Sequence, residues 1–269
     1  MDLAGKVVVV TGGGSGIGQQ LVLALLARQA RVAAVDINTA GLQETESLAG
    51  DLSQKLSLHQ SDISNRESVA QLVDAVLGEH SSVDAIINNA GVIHPFEPVN
   101  ELDFEIIDRI LKVNLGGVIN MTKMFLPHLL TRPVAHIVNV SSMGGLFAFP
   151  KQTIYGATKA AVKLLSEGLY SELRGTKVGV TVVFPGAVKT NITKNCNAHL
   201  EALDRFEKYH PGIAPEKVAD RIVKAIEKNR FRLHIGADST FLSFFYRITP
   251  GLAIRFLAAV MDKAMAGRP

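Results

Sequence analysis

The sequence predicts an α/β fold, a doubly wound parallel sheet of seven strands with helices on both faces. Short apolar runs rich in β-branched residues recur along the chain, as strands buried on both faces require. Between them lie stretches in which apolar residues return every three to four positions, the period of a helix packed on one side. Strand and helix alternate, the order that covers a parallel sheet on both faces. Size agrees: 269 residues, 47% hydrophobic and 20% charged, suffice for one large α/β domain.

The first strand is Lys6–Thr11, and after a glycine-rich turn Leu21 and Leu25 mark one face of a helix. The second strand is Arg31–Asp36 and the third Leu56–Gln60, followed by Val69, Leu72, Val73 and Val76 at helical spacing. Val83–Asn88 is the fourth strand. A helical stretch over Ile106–Phe125 is interrupted at Asn114, a poor helix former followed by Gly116-Gly117, so a local break is expected there. Val134–Ser141 is the fifth strand, with a helix across Ala160–Leu173, and Val178–Phe184 is the sixth, stopped by Pro185-Gly186. Arg232–Ile235 completes the sheet. Residues 1–236 are expected to form the cofactor-binding and catalytic domain, and residues 237–269 an apolar, amphipathic extension packed on it or on a partner.

Composition excludes several classes. The net charge is +3 and the 28 basic residues are spread along the chain, which gives no electrostatic footprint for nucleic acid. A single cysteine, Cys196, rules out an internal disulfide and fits a reducing compartment, the cytoplasm. The uncharged stretch Val7–Ala27 lacks a basic segment before it and has Gly12 to Gly18 at its centre, so it reads neither as a signal peptide nor as a membrane span. The eight histidines show no H-x-x-x-H or Cys/His ligand spacing, so no metal site is expected. Ser15 stands in G-G-S-G-I, which is not a nucleophile elbow.

The turn T-G-G-G-S-G-I-G, Thr11–Gly18, joins the first strand to the first helix. There it aims backbone amides and the positive end of a helix dipole at one point, an arrangement suited to a pyrophosphate. A P-loop would continue with Lys and Ser/Thr, but Gln19-Gln20 follow Gly18, which disfavours a nucleoside triphosphatase. Gly12, Gly16 and Gly18 fit the turn, with Ser15 and Ile17 between them. Eighteen residues past Gly18 the second strand ends on Asp36, near the ~20-residue offset at which a carboxylate meets an adenosine ribose. Asp36 would repel a 2′-phosphate, and Ile37-Asn38-Thr39 offer no cation to receive one, so NAD(H) is favoured over NADP(H).

Tyr155 and Lys159 are four residues apart and therefore share one helical face. A phenol, with a reference pKa of ~10, becomes an effective acid–base group when an ammonium and a cationic nicotinamide stabilise its phenolate. Ser142, at the end of the fifth strand, could hydrogen-bond the reacting oxygen. Asn88-Asn89-Ala90-Gly91 ends the fourth strand with small residues that let a ligand approach the backbone.

Together these stretches resemble the short-chain dehydrogenase/reductase family, in its Rossmann-like form of about 250 residues. The resemblance spans residues 3 to 236 and rests on TGGGSGIG, Asp36, Asp62, NNAG, Asn114, the VNVSS run Val138–Ser142, YGATK and PGAVKT (Pro185–Thr190), in the family's order. It implies a catalytic tetrad of Asn114, Ser142, Tyr155 and Lys159, with Ser142 chosen over Ser141 because it lies 13 residues before Tyr155. It also implies that Asp62 and Ile63 flank the adenine, that Asn89, Ala90 and Gly91 line the adenosine side, and that Pro185, Gly186, Val188 and Thr190 reach the nicotinamide. Asp36 and Ile37 belong to the same cofactor set.

The expected reaction is hydride transfer between NAD(H) and a secondary alcohol or ketone. The alternative is a regulatory protein that binds the dinucleotide without turnover; an intact Ser142/Tyr155/Lys159 set weighs against it. Phe96, Met143, Leu146, Phe147 and Phe149, in loops beyond the strand ends, suit an apolar small-molecule substrate, with Gln152 as a polar contact and Asn191–Pro215 as a further substrate-side loop. A steroid, retinoid or long-chain compound fits better than a sugar. In the tail, Thr240–Met265, aromatic residues precede Pro250-Gly251 and a second apolar run. Three roles are open to it: a contact within a homo-oligomer (dimer or tetramer), a lid over the pocket, or peripheral docking on a membrane.

Overall fold

The computed structural model describes residues 1–189 and 212–265. Seven strands form one parallel sheet: β1 (Val7–Thr11), β2 (Arg31–Asp36), β3 (Leu56–Gln60), β4 (Ala85–Asn88), β5 (Ala135–Val140), β6 (Val178–Pro185) and β7 (Arg232–Ile235). Their spatial order is β3-β2-β1-β4-β5-β6-β7, so the chain runs outward in one direction from β1 and then crosses back to run outward in the other. The reversal opens a crevice beyond the C-terminal ends of β1 and β4, the place where such sheets take ligands.

Side chains alternate between the two faces and build two cores. On one face Val8, Val10, Val32 and Ala34 pack with Leu21 and Leu25 of α1 (Gly16–Ala27) and Ile222 and Ile226 of α7 (Pro215–Glu227). On the other, Val7, Val9 and Val35 pack with Val69, Leu72 and Val76 of α3 (Arg66–His80) and Phe125 of α5 (Gly117–Leu130). The continuous apolar strands follow from this double burial. α2 (Thr39–Ala49) and α3 start on Asn38 and Asn65, whose side-chain oxygens accept amides of the first turn.

Boundaries differ from expectation by one or two residues at four strands: β1 begins at Val7, because Lys6 N bonds back to the Leu3 carbonyl at 3.0 Å, and β4, β5 and β6 shift as well. β4 begins at Ala85, two residues later than expected; Asp84 before it is fastened by backbone and side chain, its N donating to the Val7 carbonyl at 2.9 Å and its carboxylate accepting Val7 N at 3.0 Å and Arg132 Nε at 2.8 Å. β6 runs on through Pro185, which pairs with Ile235 on β7. β5 pairs with β6 only as far as Val183, so the missing proline N–H costs no ladder bond. β5 itself ends at Val140, one residue before the serines.

The helical stretch containing Asn114 divides into α4 (Phe104–Leu111), a π-helical turn over Lys112–Gly116, and α5. α6 (Thr153–Glu172) follows β5. The tail forms α8 (Ala237–Ile248) and α9 (Pro250–Met265), separated at Thr249-Pro250. Among the described residues no helix is long and apolar enough to cross a membrane.

Candidate active site

The turn after β1 is shaped by what a side chain would strike. Gly12 has a φ of +70° and Gly16 of +54°, the left-handed region that glycine occupies without strain. A Cβ on Gly18 would lie 1.8 Å from the Gly12 carbonyl oxygen, so α1 can start this close to β1 only with glycine there. Ser15 caps α1 in an extended conformation, but its side chain accepts no helix amide, and the first turn carries no acid. In contrast with α2 and α3, the positive end of α1 is left to an external anion, and a pyrophosphate fits it.

Thr11 fastens the neighbouring strand end. Its hydroxyl accepts Asn89 N at 3.0 Å and Ala90 N at 3.1 Å, and Asn89 Nδ2 donates to the Thr11 carbonyl at 3.0 Å. Asp36 closes the other side: Gly14 N donates to Oδ2 and Asn38 N to Oδ1, each at 3.0 Å. Two backbone amides thus fix the carboxylate at the end of β2.

α6 brings Tyr155 and Lys159 under the end of β5. Lys159 is buried, its Nζ donates to the Val140 carbonyl at 3.0 Å, and it lies 5.8 Å from the Tyr155 ring centroid. Burial pulls its pKa down from 10.5 to about 8. Small residues make room for this: a Cβ on Gly91 would sit 3.1 Å from Lys159 Nζ and 3.3 Å from Asn114 Oδ1. Asn114, buried on the π turn, accepts Val92 N at 2.8 Å and donates to the Val92 carbonyl at 2.9 Å and to Thr158 Oγ1 at 3.2 Å. One carboxamide therefore ties the loop after β4 to α6.

The two serines separate here. Ser141 Oγ donates to the Lys159 carbonyl at 2.8 Å and is buried, whereas Ser142 Oγ accepts Gly144 N at 3.0 Å and is half-buried. A Cβ built on Gly144 would lie 3.5 Å from Ser142 Oγ and 3.6 Å from Tyr155 Cε1, so hydroxyl and phenol ring flank one point.

Gly12, Ser15, Gly16, Ile17, Asp36, Ile37, Asp62, Ile63, Asn89, Ala90, Gly91, Ser142, Tyr155, Lys159, Pro185, Gly186 and Val188 all line one cleft of about 680 Å³ at the strands' C-terminal ends. Gly18 and Asn114 are not part of that lining; they shape it from behind. Thr190, Cys196 and most of the loop Asn191–Pro215 lie outside the described residues. Arg109 of α4 and Val113 of the π turn also line the cleft, as do Asn38, Ser61 and Ser64. The polar run around Asp62 signalled the last two, but nothing local in the sequence marked Arg109, which a helix far along the chain carries in.

On the substrate side, Gln152 is buried and its Nε2 donates to the His94 carbonyl at 2.7 Å, so it tethers the loop after β4. Phe147 is buried against Phe149 and Tyr246, with ring centroids 5.4 and 6.5 Å away. Away from the cleft, on β3 and the end of α3, His59, Glu79 and His80 come together, which their sequence spacing did not reveal. Ser57 Oγ bonds both imidazoles, at 2.8 and 2.7 Å, and burial holds both below the usual histidine range.

The family model for short chain dehydrogenase matches residues 6–201. The SadH protein of Mycobacterium tuberculosis is 36% identical over 269 residues, covering 96% of either chain. Among solved structures, a short chain dehydrogenase/reductase from Burkholderia phymatum in complex with NAD superposes with a TM-score of 0.85 at 27% identity, covering 94% of this chain and 96% of that one. A short chain dehydrogenase from Burkholderia cenocepacia in complex with NADP gives 0.79 at 28% identity, covering 96% and 99%.

Proposed function

The chain belongs to the short-chain dehydrogenase/reductase family, and on that premise we propose that it is an NAD(H)-dependent oxidoreductase acting on a lipophilic secondary alcohol or ketone. The observation that carries the reading is the buried Lys159 ammonium beside the Tyr155 ring, with the Ser142 hydroxyl at the same glycine. A nicotinamide in the cleft supplies the hydride or accepts it.

The residues divide the rest of the work. Gly12, Ser15, Gly16 and Ile17 would hold a pyrophosphate at the start of α1, which Gly18 lets approach β1; Asp36 and Ile37 would take the adenosine ribose, Asp62 and Ile63 would flank the adenine, and Asn89, Ala90 and Gly91 would support the adenosine side. Pro185, Gly186 and Val188 would face the carboxamide end. Ser142 hydrogen-bonds the reacting oxygen. Tyr155 gives that oxygen a proton in reduction and removes it in oxidation, and the Lys159 charge favours the phenolate through which it cycles. Asn114 acts through Val92 and Thr158 as a positioning residue.

Preference for NAD rests on the Asp36 carboxylate: held by Gly14 N and Asn38 N, it cannot easily swing aside for a 2′-phosphate. A homo-oligomer is proposed through the flank of α4 to α6, where Phe104, Ile119 and Leu164 are exposed.

The test is a panel of steroid, retinoid and long-chain secondary alcohols with NAD or NADP, followed at 340 nm. NAD should give the higher kcat/KM, and Asp36→Ala should narrow the gap by about tenfold or more, the loss of one charge contact. Equal efficiency with both cofactors in the wild type would remove the NAD assignment; NADH binding without turnover on any member would favour the regulatory alternative.

A further inference from the structure

Along α8 the usual distribution of side chains is inverted. Ser239 and Ser243 face the fold at 0% and 7% exposure, whereas Phe241, Phe244 and Ile248 stand outward at 64%, 66% and 62%. The spacing 241, 244, 248 puts all three on one helical face. Polar bonds fix the inward side: Ser239 Oγ donates to the Phe184 carbonyl at 2.9 Å, and Asp238 Oδ2 accepts Ala187 N at 3.0 Å. The helix cannot roll to bury its phenylalanines without breaking both.

α9 extends the same surface. Ala253 and Leu257 are buried, and Leu252 and Phe256, four apart, are exposed. Arg247 and Arg255 are exposed as well, and Ser239–Met261 contains no aspartate or glutamate. An apolar face with cations and no acids is the composition that binds at a lipid–water boundary. The acidic residues of the two helices stand at the ends, Asp238 bonded to Ala187 N and Asp262 in the last turns of α9, so pairing the central apolar face with a second copy would bring Arg247 and Arg255 of both copies together, whereas a phosphate-bearing surface supplies them with opposite charge.

We propose that the α8–α9 hairpin docks this protein on the surface of an anionic lipid bilayer, with Phe241, Phe244, Leu252 and Phe256 entering the headgroup boundary and Arg247 and Arg255 meeting phosphates. Tyr246 of the hairpin packs on Phe147, in the loop that follows Ser142. If the proposed lipophilic substrate is correct, it enters the cleft from the lipid side. The docking itself does not rest on that reading.

The experiment is sedimentation of the full chain with phosphatidylcholine vesicles, with and without phosphatidylglycerol, comparing wild type, Phe241→Ser/Phe244→Ser and Arg247→Gln/Arg255→Gln. Wild type should partition onto the anionic vesicles. Losing two phenylalanines should weaken partitioning by about 100-fold or more. Losing two arginines should weaken it about 25-fold on anionic vesicles only, which is about 2 kcal/mol at ~1.4 kcal/mol per tenfold. All three proteins should keep their NADH affinity and their turnover of a soluble alcohol without vesicles, which reports the enzymatic reading separately. No sedimentation of the wild type, or undiminished sedimentation of the phenylalanine variant, overturns the proposal. So does a gel-filtration shift from oligomer to monomer in that variant, since it assigns the face to a second copy.

Discussion

Replacing Lys159 by methionine should make the cofactor-free protein more stable while abolishing its activity. The side chain is buried and its pKa falls from 10.5 to about 8 through desolvation. Between those values the unfolded chain holds a proton that the folded chain has released, so stability rises with pH across that window. Below pH 8 the folded state carries the whole cost, about 3 kcal/mol at ~1.4 kcal/mol per tenfold. Methionine fills a similar volume without charge, and loses the hydrogen bond to the Val140 carbonyl, about 1 kcal/mol. At pH 7 the variant should therefore gain about 2 kcal/mol, or roughly 4–8 °C in Tm for a chain of this size. By pH 10 the folded chain has released nearly all of this proton while the unfolded chain keeps most of its own, so the cost has fallen to about 1 kcal/mol and the two proteins should converge. Thermal melts at both pH values check this. A variant less stable than wild type at pH 7, or an advantage that does not shrink with pH, refutes the reasoning.

Tyr155→Phe should lower kcat by about 10²–10⁴-fold while NADH affinity changes little, because the ring stays and only the hydroxyl is lost; stopped-flow NADH titration beside steady-state turnover separates the two. The serines should divide by role: each substitution breaks one hydrogen bond, worth about 1 kcal/mol of stability, but Ser142→Ala also removes the hydroxyl proposed to meet the reacting oxygen and lowers kcat strongly, whereas Ser141→Ala, which breaks the bond to the Lys159 carbonyl, leaves kcat closer to wild type. A larger kcat loss at Ser141 than at Ser142 would reverse the assignment. Gly18→Ala should weaken NADH binding at least about tenfold, since its Cβ would strike the Gly12 carbonyl at 1.8 Å and push α1 off β1; calorimetry giving wild-type affinity would show that the turn relaxes at no cost to the site.

The strands were legible because a parallel sheet covered on both faces needs continuous apolar runs, and β2, β3 and β7 fall where those runs lie. Differences gathered at strand edges, and one of them depends on a partner far along the chain, since Pro185 extends β6 by pairing with Ile235. Of the site, the glycine turn, Asp36 and the Tyr155/Lys159 pair could be read locally, since backbone conformation, strand ends and helical spacing are properties of short segments. Which of two adjacent serine hydroxyls is tied to the Lys159 carbonyl, the lowered pKa of Lys159, the π turn that lets Asn114 clamp Val92 to Thr158, and the arrival of Arg109 were decided by tertiary packing. The tail shows the same division: its sequence specified two apolar helices, but only their seating on Phe184 and Ala187 determined that serines turn inward and phenylalanines outward, because hydrogen bonds to a fixed backbone outweighed the amphipathic pattern in setting which side is covered.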